Sequence, residues 1–249
     1  MSFTYIFKRT EKKYHITADE AEMLKSTLSD VLVPDEYGIS TVSNLYLDTP
    51  DFLLIRNSID AVSYKEKLRI RSSGTPDDST TVFLEIKKKY KGVVYKRRIS
   101  QQLCRITDYL TTGIPPADGQ IMNEIDYAMN FYNHPQPCAA LFYEREAYSW
   151  RGENGVRLTF DTNIRYRADD LKLQNGSHGT NIIPDGVVLL EVKCSGAMPL
   201  RLSHTLDKAR IYPSRFSKYG TAYSDMMRMN RTSHPDELYS QLQSKETTP

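Results

Sequence analysis

The sequence lacks any apolar run of about 18 residues, the length that a membrane-spanning helix needs, so no membrane segment is predicted in this chain. Its first five residues, Met1 to Tyr5, contain no basic region followed by an apolar stretch, and no secretory signal is predicted. Cysteine is scarce. The three cysteines, Cys104, Cys138 and Cys194, are widely spaced and odd in number, a pattern of neither a disulfide framework nor a zinc ribbon. These absences favour a reducing, cytoplasmic location.

The sequence also lacks a large excess of charge of one sign. It has 33 basic and 31 acidic residues, a net charge of +2. A nucleic-acid-binding protein usually carries a larger basic excess, so no nucleic-acid partner is expected. No internal repeat is present, and we predict one domain over residues 1–229. The polar residues 230–249 are predicted to form a C-terminal tail that is at least partly disordered.

Alternation of apolar and polar residues dominates the chain and is typical of half-buried strands. Eight strands are predicted, at about residues 3–16, 40–48, 62–72, 80–90, 92–100, 138–149, 155–165 and 187–194. The turn sequence Arg151-Gly-Glu-Asn-Gly155 predicts that the sixth and seventh strands form a hairpin.

Helices are predicted between the strands. Thr17 and Glu20 have the spacing of a capping box, which predicts a helix to about Ser29. Thr49 as N-cap and Pro50 at the first helical position predict a second, short helix. Further helices are predicted near residues 120–132, 199–208 and 220–229.

Several predicted strands carry a dense stripe of charge on one face. A charged stripe on one strand is ordinarily a solvated face, but the four cations of the third strand would repel one another unless an anion offsets them. That stripe is Lys65, Lys67, Arg69 and Arg71. The stripes of the other strands are Arg9, Glu11, Lys13 and His15; Glu85, Lys87 and Lys89; Lys96 and Arg98; Tyr143 and Arg145; Arg157, Thr159, Asp161 and Asn163; and Glu191 and Lys193.

Eight strands can close into a narrow barrel. If the charged faces point inward, the apolar faces point outward, where the amphipathic helices can cover them. The sequence therefore predicts an α+β fold, a closed eight-stranded antiparallel β-tunnel with surrounding helices. Arginine and lysine bind phosphate oxygens, and carboxylates hold Mg²⁺ or Mn²⁺. Such a tunnel suits a linear polyanion and its metal.

The order of several short motifs resembles the vacuolar transporter chaperone (VTC) domain, the polyphosphate polymerase branch of the triphosphate tunnel metalloenzymes (CYTH-like superfamily). The resemblance covers Arg9 to about Gly220, and each motif is weak alone. The motifs are Arg9-Thr-Glu-Lys-Lys-Tyr14, Asn44-Leu-Tyr-Leu-Asp-Thr49, Lys67-Leu-Arg-Ile-Arg71, Glu85-Ile-Lys87, Tyr143-x-Arg145, Arg157-Leu-Thr-Phe-Asp161, Glu191-Val-Lys193 and Ser217-Lys-Tyr219.

The resemblance implies a metal-dependent polyphosphate polymerase, which transfers the γ-phosphate of ATP onto a polyphosphate chain in the tunnel. Its partners would be ATP or triphosphate and polyphosphate. The expected catalytic residues are Arg69, Arg71, Lys87, Arg145 and Lys218. Further phosphate contacts are expected at Lys13, Lys67, Lys96, Arg98, Arg157 and Lys193. The expected ligands of Mn²⁺ or Mg²⁺ are first Glu191, then Glu11, Glu85 and Asp161, each of which could instead pair with a neighbouring cation.

The sequence departs from the wider superfamily at one position. The hydrolytic members typically open with Glu-x-Glu-x-Lys, but here Arg9 stands at the first glutamate position. A missing carboxylate weakens the activation of water by two metals, which favours transfer or binding over hydrolysis. Two alternatives stay open: an inorganic or nucleoside triphosphatase, and a polyphosphate-binding module without catalysis.

Overall fold

The computed structural model describes residues 10–91, 93–153 and 155–233, with side chains described up to residue 229. The strands are β1 (Thr10–Thr17), β2 (Leu32–Asp48), β3 (Tyr64–Ser73), β4 (Thr81–Tyr90), β5 (Val93–Gln102), β6 (Gln136–Trp150), β7 (Val156–Arg167), β8 (Thr180–Asn181) and β9 (Val187–Cys194). The helices are α1 (Ala18–Thr27), α2 (Leu53–Ile59), α3 (Leu103–Thr112), α4 (Gln120–Phe131), α5 (Leu200–Lys208) and α6 (Lys218–Ser233).

The strands form one antiparallel sheet in the order β1-β9-β7-β6-β2-β3-β4-β5, with the two-residue β8 paired to β7. The predicted α+β class is confirmed. The sheet curls into a tunnel. Glu11 of the end strand β1 is close enough to Lys87 of β4, the strand next to the other end, for the lysine to lower the pKa of the Glu11 carboxyl. Hydrogen bonds do not close the tunnel, since no β1–β5 pairing occurs within the described ranges.

A short segment runs along the free edge of β1 instead. The Ser214 amide donates to the Lys13 carbonyl at 2.7 Å, and the Lys13 ammonium donates to the Phe216 carbonyl at 3.0 Å. One residue further, the Ser217 hydroxyl accepts from the Lys67 ammonium of β3 at 3.2 Å. Residues 214–217 therefore join β1 to β3 and lead directly into α6.

Helices cover the apolar outer faces of the sheet, as the charge pattern predicts. On β3 and β4, buried side chains such as Ile70 and Leu84 pack with Ile106 of α3 and Ile125 of α4. Leu24 of α1 and Leu202 of α5 belong to a second cluster with buried residues of β1, β7 and β9. Helix α6 differs, because its Tyr219 and Ala222 pack against Tyr46 and Leu141. Tyr46 shares the inner face with Arg69, so α6 lies against the inside of the sheet.

The predicted start of α1 is confirmed and that of α2 is wrong. The Thr17 hydroxyl accepts from the Glu20 amide at 3.1 Å, and the Glu20 carboxylate accepts from the Thr17 amide at 2.7 Å. Helix α2 begins at Leu53 rather than at Pro50. The carboxylate of Asp48 accepts hydrogen bonds from the amides of Leu54 and Ile55. It therefore satisfies two backbone N–H groups of the first helical turn, and the helix begins later in the chain than predicted.

Three other predictions need correction. Strand β2 begins at Leu32, well before residue 40, because a register shift between Pro34 and Ile39 interrupts its pattern without ending it. Helix α3, which covers β4, is not among the predicted helices. Asn163 does not continue the charged stripe of β7, since its φ is 50° beside a register shift between β6 and β7. Beyond that shift Ile164 takes the inner position and packs with Val42 and Leu189 of the inner face.

The predicted tail begins inside α6, which extends to Ser233. The other residues of that tail, 234–249, and the predicted strand residues 3–9 lie outside the described residues. None of the described helices is long and apolar enough to cross a membrane.

Replacing Ile106 by alanine tests the role of α3 in covering the sheet. Ile106 is 0 % exposed, and we expect Ile106→Ala to lower the free energy of unfolding by about 2–5 kcal/mol in chemical denaturation. The control is Ile114→Ala, since Ile114 is 71 % exposed and its loss should change stability by less than about 0.5 kcal/mol. Equal effects of the two variants would contradict this packing.

Candidate functional site

One side of the tunnel holds a buried cluster of paired charges. Arg145 of β6 donates two hydrogen bonds, at 2.6 and 2.7 Å, to the two oxygens of Asp161 on β7. Lys218, the first residue of α6, places its ammonium 2.6 Å from Asp161 and 3.0 Å from Glu191 of β9. Because Asp161 is 0 % exposed and holds both cations, it ties α6 to the sheet.

Glu191 gathers further cations around its carboxylate. Lys193 lies 3.1 Å away, and Lys13 and Arg145 each lie 3.6 Å away. Burial alone would raise the pKa of Glu191, but Lys218, Lys193 and Lys13 together hold it well below its usual range. Glu191 therefore stays ionised. We call Lys13, Arg145, Asp161, Glu191, Lys193 and Lys218 the carboxylate wall.

Glu11 extends this wall toward β4. Its carboxylate lies 3.6 Å from the Lys13 ammonium, which also contacts Glu191. Burial opposes ionisation of Glu11, but Lys87, Lys193 and Lys13 lower its pKa below the ordinary value. Two ionised carboxylates thus flank one lysine of β1.

The opposite side of the tunnel is formed by β3, β4 and β5. Glu85 accepts from Arg69 at 2.8 and 2.7 Å, and Lys96 lies 2.6 Å from its other oxygen. Both oxygens of this 1 % exposed glutamate are therefore occupied by cations. Burial alone would raise the pKa of Glu85, but Arg69 and Lys96 lower it below its usual value. We call Lys67, Arg69, Arg71, Glu85, Lys87 and Lys96 the basic wall.

Three cations of the basic wall have no carboxylate partner among the described residues: Lys67, Arg71 and Lys87. Burial, together with Lys87 and Lys13, lowers the pKa of Lys67 to about 7. Burial likewise lowers the pKa of Lys87, although Glu11 opposes the shift, and that of Arg71. Each shift means that the positive form is disfavoured where it stands. An anion bound between these residues would relieve that cost.

Counting both walls with Glu11 and Arg98, cations outnumber carboxylates by ten to four. The cations are Lys13, Lys67, Arg69, Arg71, Lys87, Lys96, Arg98, Arg145, Lys193 and Lys218, and the carboxylates are Glu11, Glu85, Asp161 and Glu191. Such an excess on a concave, partly buried surface creates a positive potential that attracts a polyanion.

The remaining predicted residues lie at the margins. Arg98 is exposed, with its guanidinium 4.3 Å from the centre of the Phe83 ring. The half-exposed Arg157 forms an ion pair with Asp35 of β2, which leaves it at the rim. Arg9 lies outside the described residues, so its proposed effect on hydrolysis stays a prediction.

The metal prediction can be tested against the donors present. No group of three or more metal-binding side chains occurs in the described ranges. Mg²⁺, however, is commonly held by one or two carboxylates together with substrate phosphates, and Glu11 and Glu191 form such a pair. Thr159 stands opposite Glu191 in the ladder, and its buried hydroxyl has no hydrogen-bond partner among described residues. The donors fit a metal that arrives with the phosphate. Glu191 is paired with Lys218 and Lys193, as Glu85 and Asp161 are with their own cations, so the preference for Glu191 rests on the neighbouring Glu11 and on the Thr159 hydroxyl.

Sequence reasoning missed the aromatic and polar residues that support the charges. The Tyr143 ring lies 4.5 Å from the Lys218 ammonium and 5.0 Å from the Arg145 guanidinium, so it carries two cations on its face. Ser217 accepts from Lys67, and Tyr46 lies 3.5 Å from Arg69. The motifs contain these residues, but the contacts join distant parts of the chain.

Comparison with known proteins gives one family match. The model of the VTC domain matches residues 8–227 of the chain. Among proteins with curated functions, none matches this chain in sequence.

Two solved structures share the fold. An adenylyl cyclase candidate from Hippeastrum, HpAC1, described as having a dominant triphosphatase activity, is 17 % identical with a TM-score of 0.52, over 86 % of this chain and 95 % of its own. An adenylate cyclase candidate from Bacillus halodurans is 16 % identical with a TM-score of 0.50, over 83 % of this chain and 92 % of its own. At these identities the likeness concerns the fold alone.

The depressed pKa of Lys67 predicts that binding of tripolyphosphate takes up protons. The bound anion raises the pKa of Lys67 above about 7, so at about pH 8 the lysine is mainly neutral before binding and gains a proton on binding. Affinity should rise as the pH falls from the bound pKa towards about 7. Titration calorimetry in buffers of different ionisation enthalpy measures this uptake.

The matched variants are Lys67→Met and Lys218→Met. The first should remove up to about one proton of uptake at pH 8. The second should weaken binding without reducing the uptake, because Asp161 and Glu191 outweigh the effect of burial and raise the pKa of Lys218. Unchanged uptake in Lys67→Met would contradict the assignment.

Proposed function

The chain belongs to the VTC domain family, and from this membership and the charges of its tunnel we propose that it is a metal-dependent polyphosphate polymerase. It would bind the triphosphate of ATP and the end of a polyphosphate chain in the tunnel and transfer the γ-phosphate to that chain. The observation that carries the proposal is a set of three buried cations, Lys67, Arg71 and Lys87, that form no direct ion pair with a carboxylate of the described residues and lie across from the Glu11–Glu191 pair.

The two walls suggest separate tasks in phosphoryl transfer. Lys67, Arg71 and Lys87 would bind phosphate oxygens, and the Glu85-held pair Arg69 and Lys96 would extend that contact. Arginine and lysine can stabilise the charge spread over the transferred group, which is most of what this chemistry requires. The bond between the β–γ bridging oxygen and the γ-phosphorus breaks, and a terminal polyphosphate oxygen bonds to that phosphorus. ADP leaves with the bridging oxygen.

Glu191 and Glu11 would hold Mn²⁺ or Mg²⁺, which supplies charge neutralisation on the phosphate oxygens when bound. Lys13 lies between the two glutamates and offsets their mutual repulsion, so it would hold both carboxylates in place for the metal. Lys193 would remain on Glu191 and orient its carboxylate. Lys218, which contacts Asp161 and Glu191, would in addition bind a phosphate oxygen of the substrate.

The protonation of the acceptor favours transfer over hydrolysis. A terminal polyphosphate oxygen is already ionised near neutral pH, so it needs no general base. Water does need one, and the tunnel carboxylates of the described residues all pair with cations: Glu85 with Arg69 and Lys96, Asp161 with Arg145 and Lys218. Triphosphate hydrolysis is the second candidate, since Glu11 and Glu191 together could also support a metal-bound water.

The test is turnover of purified protein on ATP and, separately, on tripolyphosphate, with Mn²⁺ or Mg²⁺. A polymerase releases ADP and forms a long anionic polymer, which gel electrophoresis resolves. A triphosphatase releases phosphate from tripolyphosphate without chain growth. Tight polyphosphate binding with no turnover on either substrate would instead leave a binding module.

Replacing Glu191 by the isosteric glutamine tests whether its carboxylate is the metal ligand. We expect Glu191→Gln to lower turnover by about 100-fold or more, because the isosteric amide cannot offer the metal a negative charge. The matched control is Glu124→Gln on α4, which removes a carboxylate lying 3.6 Å from Arg97 and away from both walls. If the two variants retain equal activity, Glu191 is not the metal ligand.

A further inference from the structure

Lys218 occupies an unfavourable place for a cation. It is the first residue of α6, and a helix N-terminus carries partial positive charge that repels an ammonium. Its side chain nevertheless reaches Asp161 and Glu191 at 2.6 and 3.0 Å. The backbone at the start of α6 must therefore be held where the ammonium can make these contacts.

The next residue, Tyr219, supplies a fixed attachment. It is 2 % exposed, and its hydroxyl donates to the Asp48 carboxylate at 2.9 Å. Its ring stacks on Tyr46 with centroids 4.3 Å apart and an angle of 20° between the planes. The Cys138 sulfur lies 2.9 Å from the same hydroxyl. Both the ring and the hydroxyl of Tyr219 are thus held in place.

Asp48 is itself immobilised by the backbone. Its carboxylate accepts the amides of Thr49 at 2.9 Å, Leu54 at 2.9 Å and Ile55 at 3.0 Å. It is 1 % exposed and lies at the end of β2 where α2 begins. A carboxylate bound to a helix N-terminus in this way is a rigid acceptor, so the hydrogen bond from Tyr219 fixes α6 relative to the sheet.

A second attachment is formed by Ser217. Its hydroxyl accepts from the Gly220 amide at 3.1 Å, as an N-cap does, and from the Lys67 ammonium at 3.2 Å. This contact joins the start of α6 to the basic wall. It also involves a lysine that would bind substrate, so it is not independent of the ligand. The Tyr219–Asp48 contact touches neither wall.

We infer that Tyr219 and Asp48 are positioning residues that hold Lys218 in the tunnel and thereby set its affinity for the triphosphate group. The inference rests on the proposed function, since it concerns the same tunnel and a polyphosphate ligand. Small displacements of a positioned group weaken its interactions steeply. Loss of the Tyr219 hydroxyl should therefore be felt at a site that the hydroxyl does not contact.

A double-mutant cycle tests this with tripolyphosphate as the probe. Titration calorimetry on the full chain would compare Tyr219→Phe, Lys218→Met and the double variant. We expect Lys218→Met to weaken binding by about 10- to 100-fold and Tyr219→Phe by about 3- to 10-fold. The double variant should bind no more weakly than Lys218→Met, because the hydroxyl then has no ammonium to position. Asp48→Asn should show the same non-additivity.

The matched control is Tyr109→Phe. Tyr109 is 3 % exposed and donates to Asp126 at 2.8 Å between α3 and α4, so this variant loses a similar buried hydrogen bond on the outer face. It should lower the melting temperature about as much as Tyr219→Phe does and leave tripolyphosphate affinity unchanged.

The outcomes separate the inference from the function on which it rests. Weakened binding in Lys218→Met with unchanged binding in Tyr219→Phe would overturn the inference alone. Additive losses in the double variant would also overturn it, since they would mean a general structural effect. Unchanged binding in Lys218→Met would remove Lys218 from the site and overturn the inference, whereas failure of the unaltered chain to bind tripolyphosphate would overturn the proposed function.

Discussion

The ion cluster of Lys218, Asp161 and Glu191 is the interaction on which the arrangement of this tunnel depends. It joins α6 to β7 and β9, elements that are far apart in the chain. Its charges are buried, and burying an unpaired charge is costly. The cluster is therefore acceptable only when all three members and Arg145 are in place, and it fixes α6 against the inside of the sheet.

The basic wall differs from this cluster, because not all of its buried charges are paired. Lys67, Arg71 and Lys87 are left without carboxylate partners among the described residues, and their pKa values are lowered by burial. A protein selected for stability alone would pair or expose such groups. Keeping them together costs stability, as is usual at functional sites, and the polyanion that we propose as the ligand would offset that cost.

Neutral side chains that pack against the charged residues hold them in position. Tyr143 places its ring under two cations of the carboxylate wall, and Tyr219 attaches the residue next to Lys218 to Asp48. Groups that hold a functional side chain in one geometry are as necessary as the side chain itself. The fold thus gives the tunnel a rigid carboxylate wall and a basic wall in which Glu85 holds only Arg69 and Lys96.

Local patterning was enough to predict eight of the nine described strands and the inward direction of most charges, because successive residues of a strand point to opposite faces. It did not predict the short β8 or the early start of β2. The capping box of Thr17 and Glu20 was readable for the same local reason. The register shift at Asn163 could not be predicted, since it depends on a partner strand. The late start of α2 could not be predicted, because it depends on how the nearby Asp48 carboxylate is placed against the amides of Leu54 and Ile55. Which cation pairs with each carboxylate could not be predicted from the sequence either. Residue types made Glu191 the first candidate for a metal, ahead of Glu11, Glu85 and Asp161. Only the folded chain shows which cations each carboxylate meets, such as Lys96 at Glu85 and Lys218 at Asp161 and Glu191, because Coulomb energy depends on distances that only folding sets.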